Sequence, residues 1–302
     1  MFIAPVGGQR AAVPSPLHRP DAPSPDAMAA DAGTCTVTIG GQPLRVAIRH
    51  RRNEPGRPPP FPLLLLNGIG ASLELFGPFA AAVGPAVEVI RFDVPGVGGS
   101  PLSPRPYRFT GLCRLIARML TGLGYGRVDV LGISWGGGVA QHFAAFQPAR
   151  CRRLVLAATA TGALMIPPRP AVLAQMVTPR RYQDPRYLQR VADAGCSGRA
   201  RTDAAEIAAA MHDGNRAGPS GGYLYQLAAG AGWTSVPFLP LLRQPTLILA
   251  GGDDPIIPLA NARLMHALIR GSRLHVYSGG HLGLVTQAEV LAPVVDGFLA
   301  AP

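Results

Sequence analysis

Residues 128–144 read VDVLGISWGGGVAQHFA, an apolar run that halts at a serine set among glycines. The segment RVDVLGI has the short, apolar, turn-bounded character of a strand buried on both faces. SWGGGVAQHFAAF then has the character of a helix. A serine at such a junction has two physical explanations. It can cap the new helix, because its hydroxyl accepts a bond from an orphan backbone N–H. It can also be a nucleophile held on a sharp turn. Gly132-Ile133-Ser134-Trp135-Gly136 fits G-x-S-x-G, in which glycines let crowded backbones pass and the strained serine projects Oγ above the sheet. The helix after it aims its N-terminal dipole at charge developing nearby. Five residues of this kind recur by chance, so the rest of the chain decides.

Strand and helix signals alternate on both sides of the elbow. TCTVTIGGQPLRVAIRH reads as a hairpin around Gly-Gly, and RRNEPGRPPPF as a loop. PLLLLNG is a buried strand, a helix-like stretch covers about 73–83, and AVEVIRFDV is a further strand. YRFTGLCRLIARMLTGLG places Leu112, Leu115, Ile116, Met119 and Leu120 on one helix face. CRRLVLAA, PTLILAG and SRLHVYS are strands, LANARLMHALI is a helix, and a last helix lies near 287–299. This rhythm predicts an α/β fold with a mostly parallel sheet flanked by helices. Residues 34–158 and 243–302 form its core. Residues 159–242 break the rhythm with helix-like pieces and no convincing strand. They are expected to be an inserted helical cap over the carboxyl ends of the strands, where open α/β sheets place their sites. Residues 1–33, rich in Pro, Ala and Asp, are expected to be a disordered leader.

Composition narrows the function classes. The chain has 302 residues, a formal net charge of +11, and 28 basic residues that are all arginine. The arginines are scattered without aromatic interleaving, which argues against nucleic acid as a partner and leaves a loose attraction to anionic surfaces. Cys35, Cys113, Cys151 and Cys196 lack metal-ligand spacing. The first residues have no continuous apolar run of a secretory signal, and no run approaches the roughly 20 residues of a membrane span. An intracellular protein with free thiols is expected.

A serine hydroxyl is a weak nucleophile and needs a base oriented by an acid. On this architecture the chain order is Ser, then acid, then His. The loop ATATGA after RLVLA offers no carboxylate, whereas GGDDPIIP after TLILA offers Asp253 and Asp254. Asp254, directly before PIIP, is the choice, with Asp253 as the alternative. Of the later histidines, His266 lies in a helix and His275 in a strand, so His281 on the loop past the last strand is the base. His142, in the helix after the elbow, is read as packing or surface. Two backbone N–H groups would form the oxyanion hole, from Trp135 and from Ile69 in the glycine loop NGIGAS. Asp93, in FDVPGVGGS, is read as a residue that orders its loop. Leu164, Met165, Tyr223, Leu224 and Trp233 would line the cap for apolar substrate groups; the alternative is that they pack the cap onto the core. No metal or cofactor is required.

These residues resemble a known family. LLLLNGIGASLELFGPF, VEVIRFDVPGVGGS, PYRF, GISWGGG, RRLVLAATATGALM, GYLYQLAAGAGWTS, RQPTLILAGGDDPIIPL and GGHLGLVT together look like intracellular depolymerases of medium-chain-length polyhydroxyalkanoates. The likeness runs from about residue 62 to the end, with FDVPGVGGS and GWTS its most specific parts. It implies a serine hydrolase of a storage polyester, releasing 3-hydroxyacid monomers or oligomers, cytoplasmic and in contact with storage granules. The family's triad falls on Ser134, Asp254 and His281. The chain departs from the family at Gly252, where an aspartate is common. A small-molecule esterase with the same triad is the other enzymatic reading, and a catalytically silent granule-binding protein the non-enzymatic one. Dehalogenase and epoxide hydrolase chemistry would call for Asp where this chain has Ser134.

Overall fold

The computed structural model describes residues 33–52, 60–170, 172 and 220–301. The expected leader, Gly33 apart, lies outside these residues, as do the middle of the expected cap and residues 53–59 of the expected loop.

The strands are β1 (Thr34–Ile39), β2 (Gln42–Arg49), β3 (Leu63–Leu66), β4 (Val89–Phe92), β5 (Val128–Ile133), β6 (Cys151–Ala157), β7 (Thr246–Gly251) and β8 (Arg273–Tyr277). They form one sheet in the order β1-β2-β4-β3-β5-β6-β7-β8. The β1–β2 hairpin turns at Gly40-Gly41, and β2 runs antiparallel to β4. All other pairings are parallel. β3, β5 and β7 are buried at every position, as strands covered on both faces must be.

The covering helices are α1 (Gly77–Ala82), α2 (Phe109–Gly122), α3 (Trp135–Phe146), α4 (Ser220–Gly230), α5 (Leu259–Leu268), α6 (Gly283–Thr286) and α7 (Ala288–Ala300). Side chains alternate across a strand, so β3 feeds two cores. Leu64 and Leu66 pack with Leu112, Ile116 and Met119 of α2, Phe143 of α3 and Met265 of α5. Leu63 and Leu65 pack on the opposite side with Phe79 of α1 and Leu291, Val295 and Phe298 of α7. The helix expected over 73–83 is divided into a 3-10 turn, Leu73–Phe76, and α1. Gly77-Pro78 sits at the division. Proline has no N–H to continue a ladder and fits best in a first turn, where that N–H has no helical partner.

Between β6 and β7 the described residues contain no strand. An isolated bridge joins Gly162 to Thr234. Around it the Ala163 N–H donates to the Trp233 carbonyl at 2.7 Å, and the Ser235 N–H to the Thr161 carbonyl at 3.1 Å. The Thr234 hydroxyl donates to the same Thr161 carbonyl at 2.8 Å. The chain therefore leaves the sheet and returns to it side by side.

Candidate active site

Ser134 stands between the end of β5 and the start of α3 with φ 54° and ψ −121°. A side chain at positive φ is strained by roughly 1–3 kcal/mol, so its surroundings must hold it there. They do so by hydrogen bonds and by close approach. The Ser134 N–H donates to the Ala157 carbonyl of β6 at 3.0 Å. Its carbonyl accepts the Gly137 N–H at 2.9 Å and the Thr159 hydroxyl at 2.7 Å. A Cβ at Gly132 would run into the Gly136 carbonyl, and one at Gly136 into the carbonyls of Leu66 and Asn67. The elbow needs both glycines because strand, turn and helix are pressed together. The Ser134 side chain makes no capping bond to α3, which removes the helix-cap explanation.

The loops after β7 and β8 are tied to each other. The Gly252 N–H donates to the Tyr277 carbonyl at 2.9 Å, and the Asp253 N–H to the Gly279 carbonyl at 3.1 Å. This brings Asp254 to His281, whose Nδ1 lies 2.8 Å from Asp254 Oδ2. The other carboxylate oxygen accepts the N–H groups of Ile256 at 2.8 Å and Ile257 at 2.9 Å. Asp254 is buried, while Asp253 is exposed on the turn. A carboxylate at Nδ1 fixes the tautomer with its proton there, which leaves Nε2 free to accept one. Tyr277 packs beneath this loop with its hydroxyl donating to the Gly280 carbonyl at 3.1 Å. Burial, with the charge of Asp254 beside it, pushes the Tyr277 phenol up, so it is a neutral donor at every working pH. His266 is exposed on α5 and His275 lies within β8, away from this loop.

Ile69 is buried on the loop after β3, and a Cβ at neighbouring Gly68 would touch Ser134 Cβ at 3.6 Å. Among the described residues, the N–H groups of Ile69 and Trp135 have no acceptor. The Gly70 N–H does have one, the side chain of Gln226. Asp93 orders its loop, as expected. Its Oδ1 accepts the Leu73 N–H at 2.7 Å, and its Oδ2 accepts the Gly99 N–H at 2.8 Å and Arg45 Nη1 at 2.9 Å. Arg45 also pairs with Glu74. Burial raises the Asp93 carboxyl above its ordinary value despite those donors.

The apolar residues expected to face substrate divide. Leu164 and Leu224 are exposed, at 60% and 59%, and Met165 is half-buried. Tyr223 is buried. Trp233 packs edge-on against Phe109 of α2, with ring centroids 4.8 Å apart, and its Nε1–H donates to His142 Nδ1 at 3.2 Å. These contacts join the segment between β6 and β7 to α2 and α3. His142 is buried and its Nε2 meets the Thr110 hydroxyl at 3.2 Å. Thr159 and Gln226 were not singled out in the sequence. A threonine just past a strand carries no motif. Gln226 gave a weak signal, as the one amide in the otherwise apolar and small GYLYQLAAG. Among the described residues no group of three His, Cys, Asp or Glu side chains could hold a metal ion, and no helix is long and apolar enough to cross a membrane.

Residues 62–288 match the model of the alpha/beta hydrolase fold. The chain is 51% identical over 264 residues to the poly(3-hydroxyalkanoate) depolymerase of Ectopseudomonas oleovorans, covering 87% of this chain and 91% of that one. A hydrolase from Pseudomonas aeruginosa superposes with a TM-score of 0.72 at 25% identity, over 89% of this chain and 98% of that one. The enol-lactonase of Burkholderia xenovorans has the same fold, with a TM-score of 0.72 at 23% identity over 88% and 100% of the two chains.

Proposed function

The chain belongs to the α/β-hydrolase fold family, and within it to the family of the Ectopseudomonas depolymerase; on that premise we propose that it hydrolyses the ester bonds of a medium-chain-length polyhydroxyalkanoate. The observation that carries the chemistry is the 2.8 Å contact between Asp254 Oδ2 and His281 Nδ1, in a chain whose strained elbow serine precedes both.

In this mechanism His281 Nε2 takes the Ser134 hydroxyl proton as Oγ bonds to the ester carbonyl carbon. The carbonyl electrons move onto oxygen, and the N–H groups of Ile69 and Trp135 hold the resulting oxyanion. Each such donor contributes on the order of 3 kcal/mol to the transition state. Asp254 holds the imidazole in place and stabilises its cation without taking the proton. The tetrahedral intermediate then expels the 3-hydroxyl oxygen of the next monomer, which receives the proton from His281. Water, deprotonated by the same histidine, attacks the acyl-serine and releases the acid.

Residues 159–242 serve as a cap over Ser134, and the core comprises 34–158 and 243–302. Leu164, Met165 and Leu224 offer the alkyl side chains of the polyester an apolar surface, and the protein works in the cytoplasm at the surface of storage granules. The test compares clearing of a medium-chain polyester latex, a short-chain polyester latex and a triglyceride emulsion, with fluorophosphonate labelling read by intact mass. Fastest clearing of the medium-chain latex, with an adduct absent from Ser134→Ala, is expected. Fastest action on triglyceride would favour a general esterase, and no adduct in the unaltered protein would remove the serine mechanism.

A further inference from the structure

Gln226 is 1% exposed on α4, in a helix of apolar and small residues. A buried amide oxygen without a partner is destabilising, so where its bonds go is informative. Its Oε1 accepts the Gly70 N–H at 2.7 Å. Its backbone carbonyl accepts the Trp135 indole N–H at 2.9 Å. One residue between β6 and β7 thus grips both the loop after β3, which carries the Ile69 N–H, and the first residue of α3, which carries the Trp135 N–H.

The grip on Gly70 bears on Ile69 through the geometry of the turn. Residues 68–71 close a turn by the Ala71 N–H bond to the Gly68 carbonyl at 3.2 Å. Gly70, in its third position, has φ +74°, the value a type II turn requires there. Type I and type II turns differ by a flip of the central peptide, here the one joining Ile69 to Gly70. Gln226 accepts from that peptide's own N–H, so a flip would break the bond and change ψ of Ile69, whose own N–H lies in the adjoining peptide. On the other side, the Trp135 indole is held between the Gln226 carbonyl and the edge-on ring of Phe109, 5.2 Å away. That fixes the residue whose backbone N–H opens α3.

We propose that Gln226 is a positioning residue for the oxyanion hole. It locks the Ile69–Gly70 peptide, which adjoins the Ile69 donor, and anchors the side chain of Trp135, so α4 holds both donors in place. This inference rests on the serine-hydrolase reading above.

The test uses the full chain with Gln226→Met, which keeps the length of the side chain and removes the acceptor. Two probes are a soluble p-nitrophenyl alkanoate and an alkyl trifluoromethyl ketone, which forms a tetrahedral oxyanion adduct with an active serine. A donor displaced by a fraction of an ångström should lower kcat about 10- to 100-fold with little change in KM. Ketone affinity should weaken by the factor lost in kcat/KM, and affinity for the product carboxylate should hold. Trp135→Phe, which loses the indole N–H and keeps the backbone N–H, should move the same quantities in the same direction by less. If Gln226→Met loses its circular dichroism, Trp135→Phe decides with the same readouts. Unchanged kcat and ketone affinity, or a KM rise alone, overturns the proposal. With a fluorophosphonate adduct on Ser134 in the unaltered protein, that result sinks this inference only. Without the adduct, the hydrolase reading falls first.

Discussion

Asp253 and Asp254 are adjacent in the chain and opposite in surroundings: one exposed on a turn, the other buried with its oxygens bonded to two backbone N–H groups and His281. Asp254→Asn replaces an acceptor by a donor and favours the wrong imidazole tautomer, so kcat on a soluble ester should fall about 10⁴-fold. Asp253→Asn should leave kcat within about twofold of the unaltered protein, since an exposed turn residue touches nothing reactive. The reverse ranking would move the acid. Gly136→Ala should lower Tm, because its methyl must displace two carbonyls at the end of β3; overpacking of this kind costs about 1–3 kcal/mol. At this scale the sequence is readable wherever a motif ties a residue type to a set spacing, as in the reading of Ser134 and His281. It was less readable where two like residues compete, as at 253 and 254, because burial of one and exposure of the other is decided by the register of β7 against β8. Thr159 is not readable and Gln226 only weakly so, because a hydroxyl or amide that bonds a backbone group can stand almost anywhere in a chain.

α3 is the element on which the elbow and the segment between β6 and β7 meet. Its first residue packs on Phe109 and bonds Gln226, and a later turn presents His142 to Trp233. Because Trp233 donates to Nδ1, the neutral ring of His142 carries its proton on Nε2, facing Thr110. Burial lowers the His142 pKa to about 4, below the ordinary value near 6.5. The unfolded chain therefore binds a proton that the folded chain refuses between those values. Stability from this site is fully present above about pH 6.5 and is lost progressively as pH falls toward 4. Urea unfolding across that interval should show the loss, and His142→Gln, which cannot titrate, should flatten it. The strands and long helices were legible from periodicity, because burial on two faces writes continuous apolar runs and burial on one writes a stripe. The division of 73–83 by Gly77-Pro78 was missed because apolar spacing persists through it while the backbone ladder does not.

The whole molecule carries a formal charge of +11, entirely through arginine on the basic side. Guanidinium groups attract anionic surfaces over a distance set by salt, about 10 Å at 0.1 M. Adsorption to a carboxylate-coated polyester latex should therefore weaken steeply between about 0.01 and 0.3 M salt, and adsorption to an uncharged latex should not. Equal salt dependence on both particles would show that charge has no part in docking. The sheet itself sets a different kind of freedom. The chain departs after β6 and returns before β7, two strands that are paired, and the crossing at Gly162 and Thr234 holds both ends together. Closing a loop across a fixed pair of ends costs only about 0.6 kcal/mol for each doubling of its length. This crossing is thus a port: segments of very different length and composition could be exchanged there, by evolution or by design, without rethreading a strand or moving the loops of Asp254 and His281.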